Sequence, residues 1–434
     1  MAVSNGRRVA FQTLGCRLNQ FETDSLAGEF EGAGYTIVPF DQSADAYIVN
    51  SCTVTNKADR KSRNTIYRAE RSSDALVVVT GCFVESHRQE LERRPRTFTV
   101  DNAHKRHVLD LVEAHLNGEI LHPESLERDL FSYSVPDPIF HTRSMVKIQD
   151  GCDNYCTFCI IPFVRGHATS RAPEDVLTHV QGSLAKGYRE IVVTGVNISR
   201  YRHGDVGFSE LIERLLELDG DYRLRISSME PDSLDDRFFS LLEHPRMCPH
   251  LHLCLQSGSE RILLKMRRQY TAAQFARMAE RIRARRSDFN LTTDVIVGFP
   301  GETEADFNET RALCTDLEFG HIHTFAYSRR SGTRADRLQE QIPEKVKQER
   351  SQQIRLIAEA SKRRYRLALV GQTQRLLVER VDPSHGVARG YGENYVPIAV
   401  TAEGISRNSF VPVLLESLDT PEESEEPVLR GRPI

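Results

Sequence analysis

Short apolar runs separated by amphipathic stretches dominate the chain from its first residues. Positions 9–14 form one such run and are predicted to be a strand, while 21–33 carries helical periodicity and closes at Gly34. Further runs at 46–50 and 76–80 suit buried parallel strands, and the alternation predicts a small doubly wound α/β domain over 1–130. Residues 121–141 hold Pro123, Pro136 and Pro138, are polar and lack a period, which predicts a linker. From 145 the alternation resumes, with strands expected at 145–149, 191–194, 224–227, 251–255, 291–297 and 321–325. Helical patterns such as 173–186, 208–218 and 272–285 separate them. Six βα units predict a partial or full (β/α) barrel within 140–366, with chemistry at the C-terminal ends of its strands. A basic, helical stretch at 345–366 carries Lys345, Lys347, Arg350, Arg355, Lys362, Arg363, Arg364 and Arg366. Runs of β-formers at 375–380, 395–400 and 410–414, punctuated by glycine turns, predict a small all-β barrel in a third domain, 367–434. The acidic, proline-bearing end after Thr420 is expected to be disordered.

Composition narrows this picture. A chain of 434 residues calls for two or three domains. Its net charge of −4 gives no global argument for a nucleic-acid partner, so any basic surface has to be local. No apolar run reaches the roughly 18 residues of a membrane-spanning helix. The polar start runs straight into the strand at 9–14 and does not read as a signal peptide, so a cytoplasmic location is expected. Disulfides are then not expected among the nine cysteines, and some of them should bind metal or do chemistry.

The strongest chemical signal is Cys152-Asp-Asn-Tyr-Cys156-Thr-Phe-Cys159, which follows a strand and the Gly151 turn. Three thiolates within one loop can converge on a [4Fe–4S] cluster and leave its fourth iron open for S-adenosylmethionine (SAM). Zinc is the competing reading, but a structural zinc site wants four ligands and no partner Cys-x-x-Cys is present. Cys16, Cys52 and Cys82 form a second constellation. Each ends a predicted strand, at intervals of 36 and 30 residues, about one βαβ unit each. Parallel strands then carry all three thiols to one sheet edge, where open α/β sheets bind ligands. From the residues alone, a second cluster and three separate buried cysteines remain equally open. Cys248, Cys254 and Cys314 read as structural.

Several expected barrel strands end in polar or glycine-bearing turns. Thr194, Gly195 and Asn197, then Glu230, then Asp294 are candidates to hold SAM, with ordinary turns and helix caps as the alternative. Arg165 could pair with a SAM or substrate carboxylate or sit in a surface salt bridge. The basic helix and the β-barrel could together contact RNA phosphates, or be an ordinary solvated face.

Taken together, these motifs resemble the methylthiotransferases of the radical SAM superfamily, over nearly the whole chain. The resemblance is carried by Leu14-Gly-Cys-Arg-Leu-Asn19, Asn50-Ser-Cys-Thr-Val-Thr55, Thr80-Gly-Cys82, the loop from Cys152 to Gly166 and the run Val297-Gly-Phe-Pro-Gly-Glu-Thr303. It implies an N-terminal methylthiotransferase domain, a radical SAM core and a C-terminal TRAM barrel. It also implies two [4Fe–4S] clusters, on Cys152, Cys156 and Cys159 and on Cys16, Cys52 and Cys82, the second carrying the sulfur. The segment Thr13-Leu-Gly-Cys-Arg-Leu-Asn-Gln-Phe-Glu-Thr23 is most similar to the branch acting on threonylcarbamoyladenosine beside the tRNA anticodon. The implied reaction places a methylthio group on C2 of that adenine, using two SAM. The sister branches act on isopentenyladenosine in tRNA or on an aspartate of a ribosomal protein. An iron–sulfur RNA-binding protein without chemistry is the non-enzymatic alternative. The implied partners are the tRNA anticodon stem-loop and an electron donor such as flavodoxin or ferredoxin; no membrane is involved and a monomer is expected.

Overall fold

The apolar runs predicted at the start of the chain all become strands, and the computed structural model describes residues 6–72, 75–138, 141–419 and 426–434. Two units emerge. The first takes Met1–Asp137, Lys147–Arg171 and Ser328–Asp336; the second takes Pro138–Val146, Ala172–Tyr327 and Arg337–Ile434.

In the first unit the order is β1 (Arg8–Thr13), α1 (Arg17–Gly32), β2 (Thr36–Val38), β3 (Ala46–Ser51), α2 (Asn56–Ser72), β4 (Leu76–Gly81), α3 (Cys82–Glu92), β5 (Thr97–Val100) and α4 (Val108–Leu116). The strands form one parallel sheet in the order β2-β1-β3-β4-β5. Every residue of β3 and β4 is buried, as expected of central strands covered on both faces. Their side chains alternate between two cores. Tyr47, Val49, Val77 and Val79 pack with Phe83 on one face, and Ile48 and Val78 pack with Leu26, Phe30 and Val112 on the other. Sequence reading missed β2, which is too short to show a period, and β5, a half-buried edge strand.

The predicted linker is not loose. Tyr133 is buried, its ring meets Phe21 edge-on at 5.5 Å, and Ser25 donates to the Ser134 carbonyl at 2.7 Å, so this stretch straps α1. Strand β6 (Arg143–Lys147) then leads into β7 (Gln149–Asp150), α5 (Ile161–Val164) and β8 (Thr169–Ser170).

The second unit continues with α6 (Pro173–Ala185), β9 (Glu190–Thr194), the hairpin β10 (Arg202–His203) and β11 (Val206–Gly207), α7 (Phe208–Leu216), β12 (Arg223–Ile226), β13 (Ser228–Met229), α8 (Asp236–Leu241) and β14 (His250–Leu253). Then come α9 (Glu260–Met266), α10 (Ala272–Arg285), β15 (Asn290–Val297), α11 (Glu304–Asp316) and β16 (His321–Ala326). All six expected barrel strands form, in two sheets ordered β12-β9-β6 and β13-β14-β15-β16. This is a partial (β/α) barrel divided between β12 and β14, with Leu224 bridging to Met247 across the gap.

Helix α12 (Glu344–Ala368) covers the basic stretch, but much of its charge is internal. Lys347 donates to the Tyr327 carbonyl at 3.1 Å, Arg350 meets Glu302 at 2.6 Å and Arg366 meets Glu426 at 2.7 Å, and all three cations are buried. Lys362 is buried too. The other four cations of the stretch, Lys345, Arg355, Arg363 and Arg364, are exposed or paired at the surface, so the part read as an RNA-contacting or ordinary solvated face is confined to them and to their neighbours.

The C-terminal barrel is closed by β17 (Thr373–Asp382), β18 (Val387–Tyr391), β19 (Pro397–Thr401), β20 (Phe410–Asp419) and β21 (Val428–Pro433), in the order β17-β18-β19-β21-β20. The tail expected to be disordered therefore needs correction: residues 420–425 lie outside the described residues, but Val428–Pro433 completes the barrel. It pairs antiparallel with β20 and parallel with β19, and Leu429 is fully buried in the barrel core. The acidic residues before it masked a six-residue strand. Replacing Leu429 by Ala should destabilise the barrel by about 2–5 kcal/mol. Hydrogen exchange should show faster opening of β17–β21 with the first unit unchanged.

Candidate active site

Cys16, Cys52 and Cys82 all sit where a strand of the first unit hands over to a helix. Cys16 caps α1, Cys82 opens α3, and Cys52 leaves β3 shortly before α2. The strand order reverses between β1 and β3, and crevices that bind ligands form at such reversals. The N-terminal ends of α1 and α3 both open onto this edge. Gly15 has φ +98°, and a Cβ on it would lie 2.7 Å from Cys52 Cβ and 2.8 Å from its Sγ. Only glycine lets these two turns approach so closely. The Cys52 loop is fixed from several sides. Ser62 donates to the Cys52 carbonyl at 2.8 Å, and Arg330 donates to Thr53 at 2.9 Å and to Asp59 at 2.8 Å.

Burial pushes the Cys52 thiol up to about 11 and raises that of Cys82, the latter opposed by Arg165 and Lys105. Such thiols become ligands when a metal displaces their protons. None of the six motif cysteines is in a disulfide.

The loop bearing Cys152, Cys156 and Cys159 belongs to the same unit. Its base is pinned by the β7–β8 pair and by Cys152 N–H donating to the Gly166 carbonyl at 3.1 Å. Tyr155, at φ +46°, turns the backbone between the first two cysteines, and Cys159 N–H donates to the Cys156 carbonyl at 3.0 Å. Ile160 and Val164 then pack on Cys82, and Asn102 donates to the Val164 carbonyl at 2.9 Å. The second cysteine loop is thus seated on the strand edge that carries the first triad.

A buried ionic network ties the two together. Arg165 donates to Asp150 at 2.9 Å, to Glu22 at 3.2 Å and to Asn19 at 2.7 Å. Lys147 meets Glu22 at 2.9 Å and Asp150 at 2.6 Å, and Lys105 also pairs with Glu22. Arg165 was expected to meet a ligand carboxylate or to lie at the surface; instead it is buried between α1 and its own loop. The cations hold the Glu22 carboxyl well below its ordinary range despite burial, with Arg165 the strongest, and hold Asp150 low as well. Three basic side chains meet two carboxylates here, and Arg165 and Lys105 both favour charge on Cys82, although burial lowers Lys105 itself. Among the described residues, one set of three ligand atoms closes within 4.8 Å, and it contains neither cysteine triad.

That close set is His252, Cys254 and Asp294, in the second unit. Asp294 lies within β15 rather than at its end, and its carboxylate is 3.1 Å from His252 Nε2, while His252 Nδ1 is 2.9 Å from Thr292 Oγ1. Cys254 therefore differs in its surroundings from Cys248 and Cys314: burial, partly offset by Arg225 and Arg223, pushes Cys248 up to about 11, and burial alone pushes Cys314 up to about 12. Sequence reading missed His252; its alternation with His250 and Cys254 along β14 was the available signal. Thr194 and Asn197 are buried at the end of β9, and Ser199 donates to Asn197 at 3.0 Å; Gly195 lies half-buried between them. Glu230 is raised by burial and pairs with Arg268. In the run ending at Thr303, Thr303 and Asp306 form a capping box on α11, and Glu302 accepts from the Gly298 N–H at 2.7 Å. No described helix is long and apolar enough to cross a membrane.

Strand order and loop geometry together define the class, a radical SAM fold joined to a parallel α/β unit. The Radical SAM superfamily matches residues 146–314, and the family described as "Uncharacterized protein family UPF0004" matches residues 8–101. A radical SAM methyltransferase, TsrM, from Kitasatospora setae shares the fold with a TM-score of 0.57 at 17% identity, over 76% of this chain and 77% of that one. The threonylcarbamoyladenosine tRNA methylthiotransferase MtaB of Thermotoga maritima is 37% identical over 90% of each chain. The tRNA-2-methylthio-N(6)-dimethylallyladenosine synthase of Thermobifida fusca is 35% identical over 87% of this chain and 78% of its own. The chain belongs to the MtaB-like radical SAM methylthiotransferase family.

Two outcomes follow. Glu22 and Asp150 have folded pKa values below their unfolded ones, so their stabilisation is present above about pH 4.5 and is lost as the pH falls through the folded values. Urea midpoints measured from about pH 6 to pH 3 should fall less steeply in Asp150→Asn than in the wild type, although Asp150→Asn starts lower. Removing Arg165 as Arg165→Ala should cost about 3–5 kcal/mol at neutral pH, because two buried carboxylates lose their main partner.

Proposed function

We propose that the protein is a tRNA methylthiotransferase that places a methylthio group on C2 of N6-threonylcarbamoyladenosine beside the anticodon. The observation that carries this reading is the seating of two cysteine triads, none of them in a disulfide, in one unit joined through Arg165, in a chain related to MtaB over 90% of its length. Cys152, Cys156 and Cys159 would hold one [4Fe–4S] cluster, and Cys16, Cys52 and Cys82 the other. When bound, a cluster with an open iron supplies one-electron cleavage of SAM, and hence a radical able to act on a C–H bond that offers acid–base groups no handle. The chain's own contribution is positioning. Arg165 and Lys105 offset thiolate charge at Cys82, Gly15 brings Cys16 to Cys52, and Asn102 and Val164 seat the second loop.

Thr194, Gly195, Asn197, Glu230 and Asp294 are assigned to SAM, with Arg268 and His252 orienting the two carboxylates. The three segments 1–130, 140–366 and 367–434 are assigned as methylthiotransferase, radical SAM and TRAM domains. The reading includes a flavodoxin- or ferredoxin-type donor, a monomer and a cytoplasmic location.

Mass spectrometry of tRNA nucleosides tests it. A strain lacking the gene should lose methylthio-threonylcarbamoyladenosine and accumulate its unmethylthiolated precursor. Loss of the isopentenyl derivative instead would move the protein to the sister branch, and an unchanged nucleoside profile would reject a tRNA substrate. Cys16→Ala and Cys152→Ala should each remove activity and about half of the bound iron, if each triad holds one cluster.

A further inference from the structure

Helix α2 carries the arrangement that α12 does not. Its outer face presents Lys57, Arg60, Lys61, Arg68 and Arg71, all exposed. At helical spacing they form a stripe about 20 Å long. The helix's acidic groups turn away from it: Asp59 is buried against Thr53 and Arg330, and Glu70 pairs with Arg94 at 2.7 Å. The chain as a whole is acidic at −4, so the stripe does not follow from composition. Within it, Tyr67 is 49% exposed, with the Arg94 guanidinium 4.1 Å from its ring centroid. Asn64, Tyr67, Arg68 and Arg71 line an open hollow of about 460 Å³, within the size range of small-molecule sites.

Spaced cations neutralise successive phosphates, and an exposed ring flanked by guanidinium and amide groups is what stacks and hydrogen-bonds an unpaired base. An acidic protein would match the charge but has no use for the hollow. The helix also starts shortly after Cys52, at the sheet edge that carries the first triad, and runs back from it. RNA whose reacting base lies at that edge has its backbone led along α2.

We propose that the outer face of α2 docks RNA, its cations on the phosphate backbone and one unpaired nucleotide seated against Tyr67. This rests on the tRNA reading above and names the surface that reading lacks.

The test is the affinity of the full-length, cluster-loaded protein for unmodified tRNA over a salt series. A Lys61→Gln/Arg68→Gln/Arg71→Gln variant should bind at least about tenfold more weakly, with the log–log salt slope reduced by about two. Tyr67→Ala should weaken binding about tenfold with the slope unchanged, and Arg68→Lys/Arg71→Lys should keep the wild-type slope. All variants should retain the cluster absorbance of the wild type, because the substituted groups are exposed. Unchanged affinity and slope in the triple variant overturns the proposal. If that variant instead loses reduction by an acidic flavoprotein, the face belongs to a protein partner and the proposal is also overturned. If the wild type shows no salt-dependent binding of tRNA, the tRNA reading itself fails, and nucleoside analysis of the deletion strain separates that failure from the first.

Discussion

A carboxylate with almost no solvent exposure, Glu22, sets the terms for the first unit. Left alone it would have to be protonated or expel its surroundings. Here three cations from three places in the sequence, Lys105, Lys147 and Arg165, converge on it. Because buried ions tolerate little misalignment, helix α1, the segment before α4 and the loop that begins at Lys147 have one relative arrangement available. Cys16 begins the helix that carries Glu22, and Cys152, Cys156 and Cys159 lie between two of the network's members, Asp150 and Arg165. The placement of Cys16 and of the second triad's loop is inherited from this network, while the Cys52 loop is held separately by Ser62 and Arg330.

The network also does electrostatic work that an apolar core could not. Arg165 and Lys105 lie toward Cys82, where burial disfavours charge and they oppose that effect. A well-packed hydrophobic replacement of the same volume can hold such a loop as firmly, but it would leave nothing to oppose the effect of burial on Cys82.

Much of this was legible in the sequence, and the limits have physical causes. Period and apolar run length gave the strands that are buried on both faces, such as β3 and β4, and the six strands of the partial barrel. They missed β2, β5 and β21, whose short or half-buried patterns look like loop. Cysteine spacing located both triads, because strand-to-helix turns fall at regular intervals in a parallel sheet. Arg165 was visible as a motif residue, yet its role was not, since its partners Glu22 and Asn19 lie more than a hundred residues away. Charge was the poorest guide. The cation-rich helix α12 buries Lys347, Arg350, Lys362 and Arg366 and exposes Lys345, Arg355, Arg363 and Arg364, whereas α2, less conspicuous in the sequence, leaves all its cations outside but Arg63, which pairs with Glu90. Counting charges along a chain does not tell which ones a fold consumes.

The first unit is assembled from three stretches of chain that the second unit interrupts. Arg330, which braces the Cys52 loop through Thr53 and Asp59, comes from the last of them. During synthesis the early sheet emerges with Glu22 lacking Lys147 and Arg165, and the Cys52 loop waits for Arg330 until most of the polypeptide has been made. Synthesis from the N-terminus therefore delivers the second triad's loop about seventy residues after the first triad, and it completes the surroundings of Cys52 last.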